Sequence, residues 1–156
     1  SKRGTKKFQE GALLPIEYVL FGNCVINTEM LKKIDGFNEG LTGYGGEELE
    51  LLSRMQYDKE LILLKIDASV TRIHHPGLND HCNRLIEFGK TNFKLLPNEI
   101  QKKIIPSIIL KIYKLIPISI ILFKLMILNK LLKGRSFLLI KSIMGLSILR
   151  GYKRKS

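Results

Sequence analysis

Two adjacent carboxylates, Glu47 and Glu48, follow directly on the glycine-rich run Gly43-Tyr44-Gly45-Gly46. The leucines and methionine after them, Leu49, Leu51, Leu52 and Met55, predict a helix over 47–57. The first amides of a helix point outward unpaired, so negative charge is favoured there. Carboxylates in that position are expected to stay ionised, ready to accept a proton or bind a cation. The glycines would let the backbone come close to a bound ligand. Without those neighbours the pair needs no function, because the helix dipole rewards an acidic start by about 0.3–1 kcal/mol per residue. Glu50 and Arg54, spaced i,i+4, predict a surface ion pair of structural use only.

His74 and His75 end an extended apolar stretch. As an isolated pair, one buried and one exposed structural histidine accounts for them as well as a ligand role does. A zinc site from His74, His75, His81 and Cys82 fits no common spacing, and adjacent side chains on an extended chain point to opposite faces. Asn23 reads either as a polar substrate ligand or as a turn residue beside Gly22. The two cysteines, Cys24 and Cys82, form no Cys-x-x-Cys; Cys24 reads as a small buried hydrophobe and the pattern favours a reducing cytosol.

Read with its flanks, the segment FGNCVINTEMLKKIDGFNEGLTGYGGEELELLSRM resembles the C-terminal half of a GT-A-fold glycosyltransferase. The pattern is that of family 2 enzymes and of the galactosyltransferase C-terminal region. Gly22-Asn23 matches it, Asp35-Gly36-Phe37-Asn38-Glu39 matches with two changes, and Gly45-Gly46-Glu47-Glu48 matches apart from its last residue, where such enzymes usually carry Asp. The resemblance runs from about Tyr18 to Pro76. It implies an inverting hexosyltransferase that takes a sugar from a nucleotide-sugar. Glu48 would be the general base, and Glu47, Tyr44, Gly45, Gly46 and Asn23 would bind substrate. One of His74 and His75 would hold a divalent cation, Mn or Mg, at the diphosphate.

The elements expected to position these residues make an α/β fold, a partial GT-A domain keeping the acceptor-side half. Residues 18–26 predict a buried strand broken at Gly22, and 61–66 and 70–73 predict further extended pieces. Asn27 or Thr28 should cap a short helix through Ile34 that Asp35-Gly36 stops. Residues 79–95 predict a helix with Leu85, Ile86, Phe88, Phe93 and Leu95 as its apolar set. A GT-A donor half would bring an Asp-x-Asp and a βαβ unit; no Asp-x-Asp occurs and no βαβ segment precedes Tyr18, and the chain reads as a fragment of a longer enzyme or as a truncated gene product. The basic, polar residues 1–10 read as no secretory signal.

The net charge of +12 is unevenly placed. Residues 1–100 hold 13 Lys and Arg against 14 Asp and Glu, whereas 101–156 hold 13 basic residues and no acid. The expected division is therefore 1–97 as the catalytic part and 98–156 as a Lys-rich helical tail, in which Pro106, Pro117 and Gly134-Arg135-Ser136 split the stretch 104–149 into two or three helices. The longest uncharged run in 104–123 is the nine residues Leu115 to Phe123, whereas a bilayer span needs about 20. In 118–133 the polar Ser119, Asn129, Lys130 and Lys133 share one side, an imperfect amphipath of the kind that lies in an anionic membrane interface. Expected partners are a nucleotide-sugar, a glycan or lipid-linked acceptor of surface polysaccharide synthesis and the membrane surface, with the protein peripheral on its cytoplasmic face. Nucleic acid is not expected, because the basic residues alternate with Ile and Leu rather than with aromatic and polar groups. The rival reading is a non-catalytic membrane-binding remnant of such an enzyme.

Overall fold

The computed structural model describes residues 9, 11–12, 24–57, 76–112, 115 and 117–153. The chain divides into two compact units: residues 1–38 with 47–75, and residues 39–46 with 76–156.

In the first unit, helix α1 (Thr28–Lys33) starts at Asn27, whose side chain accepts from the amides of Glu29 and Met30 at 2.9 and 3.2 Å. The helix closes on Asp35 and Gly36, both at positive φ, with Gly36 N–H donating to Leu31 O and Asp35 N–H to Lys32 O. That pairing satisfies two carbonyls that a helix end would otherwise leave open. Helix α2 (Glu47–Tyr57) buries Leu51, Leu52 and Met55 against Ile34, with Ile26, Met30 and Leu31 packed beside them.

In the second unit the described residues form helices, turns and the loop 39–46, with no strand among them. Helix α3 (Leu78–Lys90) ends at Thr91, and a 3-10 turn (Asn92–Leu95) follows. Helices α4 (Asn98–Ile104), α5 (Ser107–Ile112), α6 (Ile118–Leu131) and α7 (Phe137–Lys153) complete it. Pro106 and Pro117 divide them as the sequence predicts, α5 and α6 each beginning immediately after one of them, and α4 likewise begins after Pro97. Proline suits a helix start, where its missing N–H costs nothing. Between α6 and α7 the chain reverses through Lys133 and Gly134, both at positive φ, and Ser136 Oγ accepts from Leu139 N–H as α7 begins.

Cys82, Leu122, Leu139 and Ile143 form the core between α3, α6 and α7. The pair α3 and α7 approaches almost to backbone contact. A Cβ on Gly89 would lie 2.0 Å from Ile148 O, and one on Gly151 would lie 1.9 Å from Ile86 O. One glycine from each helix thus clears the way for the other's backbone. At one end Phe93 is enclosed edge-to-face by Phe88 and Tyr152, with ring centroids 5.7 and 5.5 Å away.

The α/β expectation, and the partial GT-A fold with it, is corrected: the described residues make an all-helical fold with no strand among them. Residues 24–26, the part of the expected first strand that is described, are not extended into any sheet, and Val25 is 99 % exposed. Cys24 is exposed as well, not the buried hydrophobe expected of it. The apolar run is short, and periodicity alone could not tell whether it was covered. The rest of that strand and the extended pieces at 61–66 and 70–73 lie outside the described residues. The helix expected over 79–95 also ends early. Thr91 takes φ −106° and ψ −87°, and its hydroxyl donates to Glu87 O at 2.8 Å. The break shifts the register, so Leu96 is buried and Leu95 faces solvent.

Replacing Gly89 or Gly151 by Ala is expected to destabilise the protein by about 3 kcal/mol, because the neighbouring backbone must give way. Gly145→Ala, where a Cβ meets nothing within 4 Å, is expected to stabilise it by about 0.5–1 kcal/mol. Denaturant unfolding of the three variants checks both signs.

Candidate functional site

Glu47 and Glu48 occupy the first turn of α2, as their place after the glycines predicts. What fixes that helix is Arg54, one turn before its end. Its guanidinium donates to both oxygens of Glu50, at 2.9 and 3.0 Å, to Gly36 O at 2.6 Å and to Ile34 O. A cation at the C-terminal end of α1 meets the negative end of that helix's dipole. The ion pair is therefore not the surface pair expected: Glu50 is only 6 % exposed, and its charge is compensated inside the unit.

The two candidate carboxylates have no such partner among the described residues. Glu47 Oε2 is buried with no hydrogen-bond partner among the described residues. Glu48 lies more open, yet its carboxyl is raised above the ordinary value of 4.5, first by partial burial and then by the charge of Glu47. The helix start favours the ionised form, so desolvation and like charge outweigh the dipole here. A base whose affinity for a proton is raised toward the working pH is better suited to general-base chemistry. Cys24 shares this neighbourhood: burial and then the Glu48 carboxylate push its thiol up from 9.0.

The loop that precedes α2, residues 39–46, belongs to the second unit. Its anchor is Asn92, which the sequence reading missed. Asn92 is 1 % exposed. Its carboxamide accepts from Gly43 N–H at 3.0 Å and donates to Gly43 O at 2.9 Å and Gly45 O at 2.8 Å. One side chain thereby satisfies three polar groups of a loop that has no ladder of its own. Gly43 lies so close to Thr91 that a Cβ would meet Thr91 Oγ1 at 2.1 Å. Gly45 and Gly46 take φ +75° and +94°, and a Cβ on Gly46 would meet the Phe88 ring at 2.7 Å. Tyr44 is held from one side, with the Arg84 guanidinium 5.6 Å from its ring centroid, and its ring remains partly exposed.

Among the expected site residues, then, Glu47 and Glu48 share one helical turn, while Tyr44, Gly45 and Gly46 lie on the clamped loop. Asn23, His74 and His75 lie outside the described residues. Among the described residues no three His, Cys, Asp or Glu side chains are grouped to hold a metal ion. Cys82 is a core residue of α3. The only sequence cue to Asn92 was a polar residue set among Phe88, Phe93 and Leu96, which a helical reading of 79–95 leaves without meaning.

Against known proteins, residues 10–76 match a family model described as the N-terminal domain of galactosyltransferase. No curated protein and no solved structure gives a significant match. The matched region is galactosyltransferase-like, and it includes Glu47, Glu48 and the glycine loop. The match covers less than half of the chain, its description is not that of a C-terminal half, and it does not name family 2.

Asn92→Ala is expected to cost about 2–4 kcal/mol, since three loop groups lose their partner in a buried place; denaturant unfolding measures it. For Glu48 the effect depends on pH. The folded state holds its proton more tightly than the unfolded chain, so stability is fullest below 4.5 and is lost as pH rises through the folded value. Glu48→Gln is therefore expected to raise Tm slightly at neutral pH and to leave it unchanged near about pH 4, as thermal unfolding at the two pH values would show.

Proposed function

We propose that the chain supplies the acceptor side of an enzyme that transfers a hexosyl group from a nucleotide-sugar to an acceptor hydroxyl with inversion. Glu48 takes the hydroxyl proton as the acceptor oxygen bonds to the anomeric carbon, and the nucleotide diphosphate leaves from the opposite face with the bonding electron pair. Glu47 binds acceptor hydroxyls. Tyr44 offers a ring edge and a hydroxyl to sugar, and the backbone at Gly45 and Gly46 allows close approach. Asn23 contributes a further polar contact. His74 or His75 would hold a divalent cation, Mn or Mg, which would supply charge to offset the leaving diphosphate.

One observation carries the reading. An acidic pair with no compensating cation among the described residues opens a helix behind positive-φ glycines, inside a galactosyltransferase-like region. A structural acid pair would be expected to find a partner, as Glu50 does in Arg54. The acceptor is proposed to be a lipid-linked glycan of surface polysaccharide assembly, a choice supported by the acid-free, apolar character of residues 101–156.

In the complete enzyme, Glu48→Gln is expected to lower kcat for sugar transfer by about 100-fold or more, with little change in acceptor KM. Glu48→Asp should recover part of the rate, because it keeps the carboxylate but shortens its reach. Glu47→Gln should act mainly on acceptor KM. Transfer at the unaltered rate by the Glu48→Gln enzyme removes the base assignment.

A further inference from the structure

Helix α6 is apolar on two opposite sides. Ile118 and Leu122 are buried, and Leu125 and Met126 pack on the core with them. At 3.6 residues per turn, Ile120, Phe123, Ile127 and Leu131 fall within a sector of about 80° on the other side. All four face solvent, Phe123 at 66 % and Leu131 at 73 %. Leu132 after the helix and Phe137 and Leu138 at the start of α7 are exposed as well. The sequence pattern placed Asn129 on the polar side, but here it is half-buried and the outward side is the apolar one. A helix apolar all round is ordinarily covered on every side, and contiguous exposed apolar surface marks an interaction site.

The charges beside this strip say what covers it. Lys124 and Lys130 flank it on either side, and Lys133 and Arg135 stand at its end; all four are exposed. None of the four has an ion-pair partner among the described residues, and residues 101–156 contain no acid at all. Asp80 lines a groove with Phe123, Ile127, Lys130 and Lys133 but pairs with none of the four cations, so a protein partner would still have to supply most of the counter-charge. A bilayer with anionic headgroups does so at any lateral position. Lysine stems also lie along apolar surface while their ammonium groups reach the headgroup layer. No helix among the described residues is long and apolar enough to cross a membrane, so this surface lies on a bilayer rather than through it.

We infer that the outward strip of α6 and the α6–α7 turn dock the protein on an anionic membrane surface, with Phe123, Ile127, Leu131 and Phe137 entering the headgroup–acyl boundary and Lys124, Lys130, Lys133 and Arg135 contacting lipid phosphates. This surface does not depend on the sugar-transfer reading. A protein lacking transferase activity could still bind, and an active transferase could fail to bind.

The test is co-sedimentation of the full chain with vesicles of phosphatidylcholine alone and of phosphatidylcholine mixed with phosphatidylglycerol, at low and high salt. Binding is expected only to the anionic vesicles and should weaken as salt screens the attraction. Phe123→Glu is expected to weaken it by about tenfold or more, and each of Lys124→Gln and Lys130→Gln by about fivefold. Phe123 and both lysines are exposed, so circular dichroism and Tm should stay unchanged; if Phe123→Glu perturbs the fold, the lysine variants carry the test. Equal binding to both vesicle types overturns the inference, as does absence of binding at low salt or binding indifferent to all three substitutions. A stable dimer that Phe123→Glu dissociates, without vesicle binding by the unaltered chain, overturns it in favour of a second copy.

Discussion

The position of the acidic pair depends on one guanidinium. Arg54 closes the last turn of α1 and compensates Glu50 at the same time, so the two described helices of the first unit are joined by a group whose bonds there are charge-assisted or aimed at open carbonyls. The leucines of α2 would bury against α1 over a range of rotations, since apolar contact is not directional. The planar fork of Arg54 is directional, and it selects one rotation. Glu47 and Glu48 inherit their direction from it, although neither touches it.

In the second unit the corresponding part is played by an amide. Asn92 can reach the glycine loop only because the helix before it stops at Thr91. A continuous helix would place residue 92 on the α3 surface, and the carbonyls of Gly43 and Gly45 would be left without donors. The helix end, the 3-10 turn and the loop are therefore one arrangement, and the close Gly43–Thr91 approach leaves room for no side chain at the loop's narrowest point.

Much of the helical part was legible in the sequence. Asn27, Asp35-Gly36, the prolines and Gly134 are local signals, and each acts where it stands. The acidic start of α2 was legible for the same reason. What the sequence concealed depends on contacts far along the chain. Asn92 meets Gly43 across 49 positions, and Gly89 and Gly151 matter only because their helices cross. Of the strand expected over 18–26, the described end failed on burial: an apolar run such as Cys24-Val25-Ile26 is a strand only if something covers it, and Val25 stands in water. The outward strip of α6 was concealed differently, because apolar spacing does not say which of two apolar sides the core will use.

The exposed thiol beside the acidic pair turns this geometry into a built-in reporter. Part of what suppresses the Cys24 thiolate is the negative charge on Glu48. Whatever neutralises that carboxylate, a proton, a cation or a substrate hydroxyl sharing its charge, releases part of the suppression. Cys24 then reacts faster with an alkylating reagent, and the rate of that labelling reads the charge state of the neighbouring acid without any sugar being transferred.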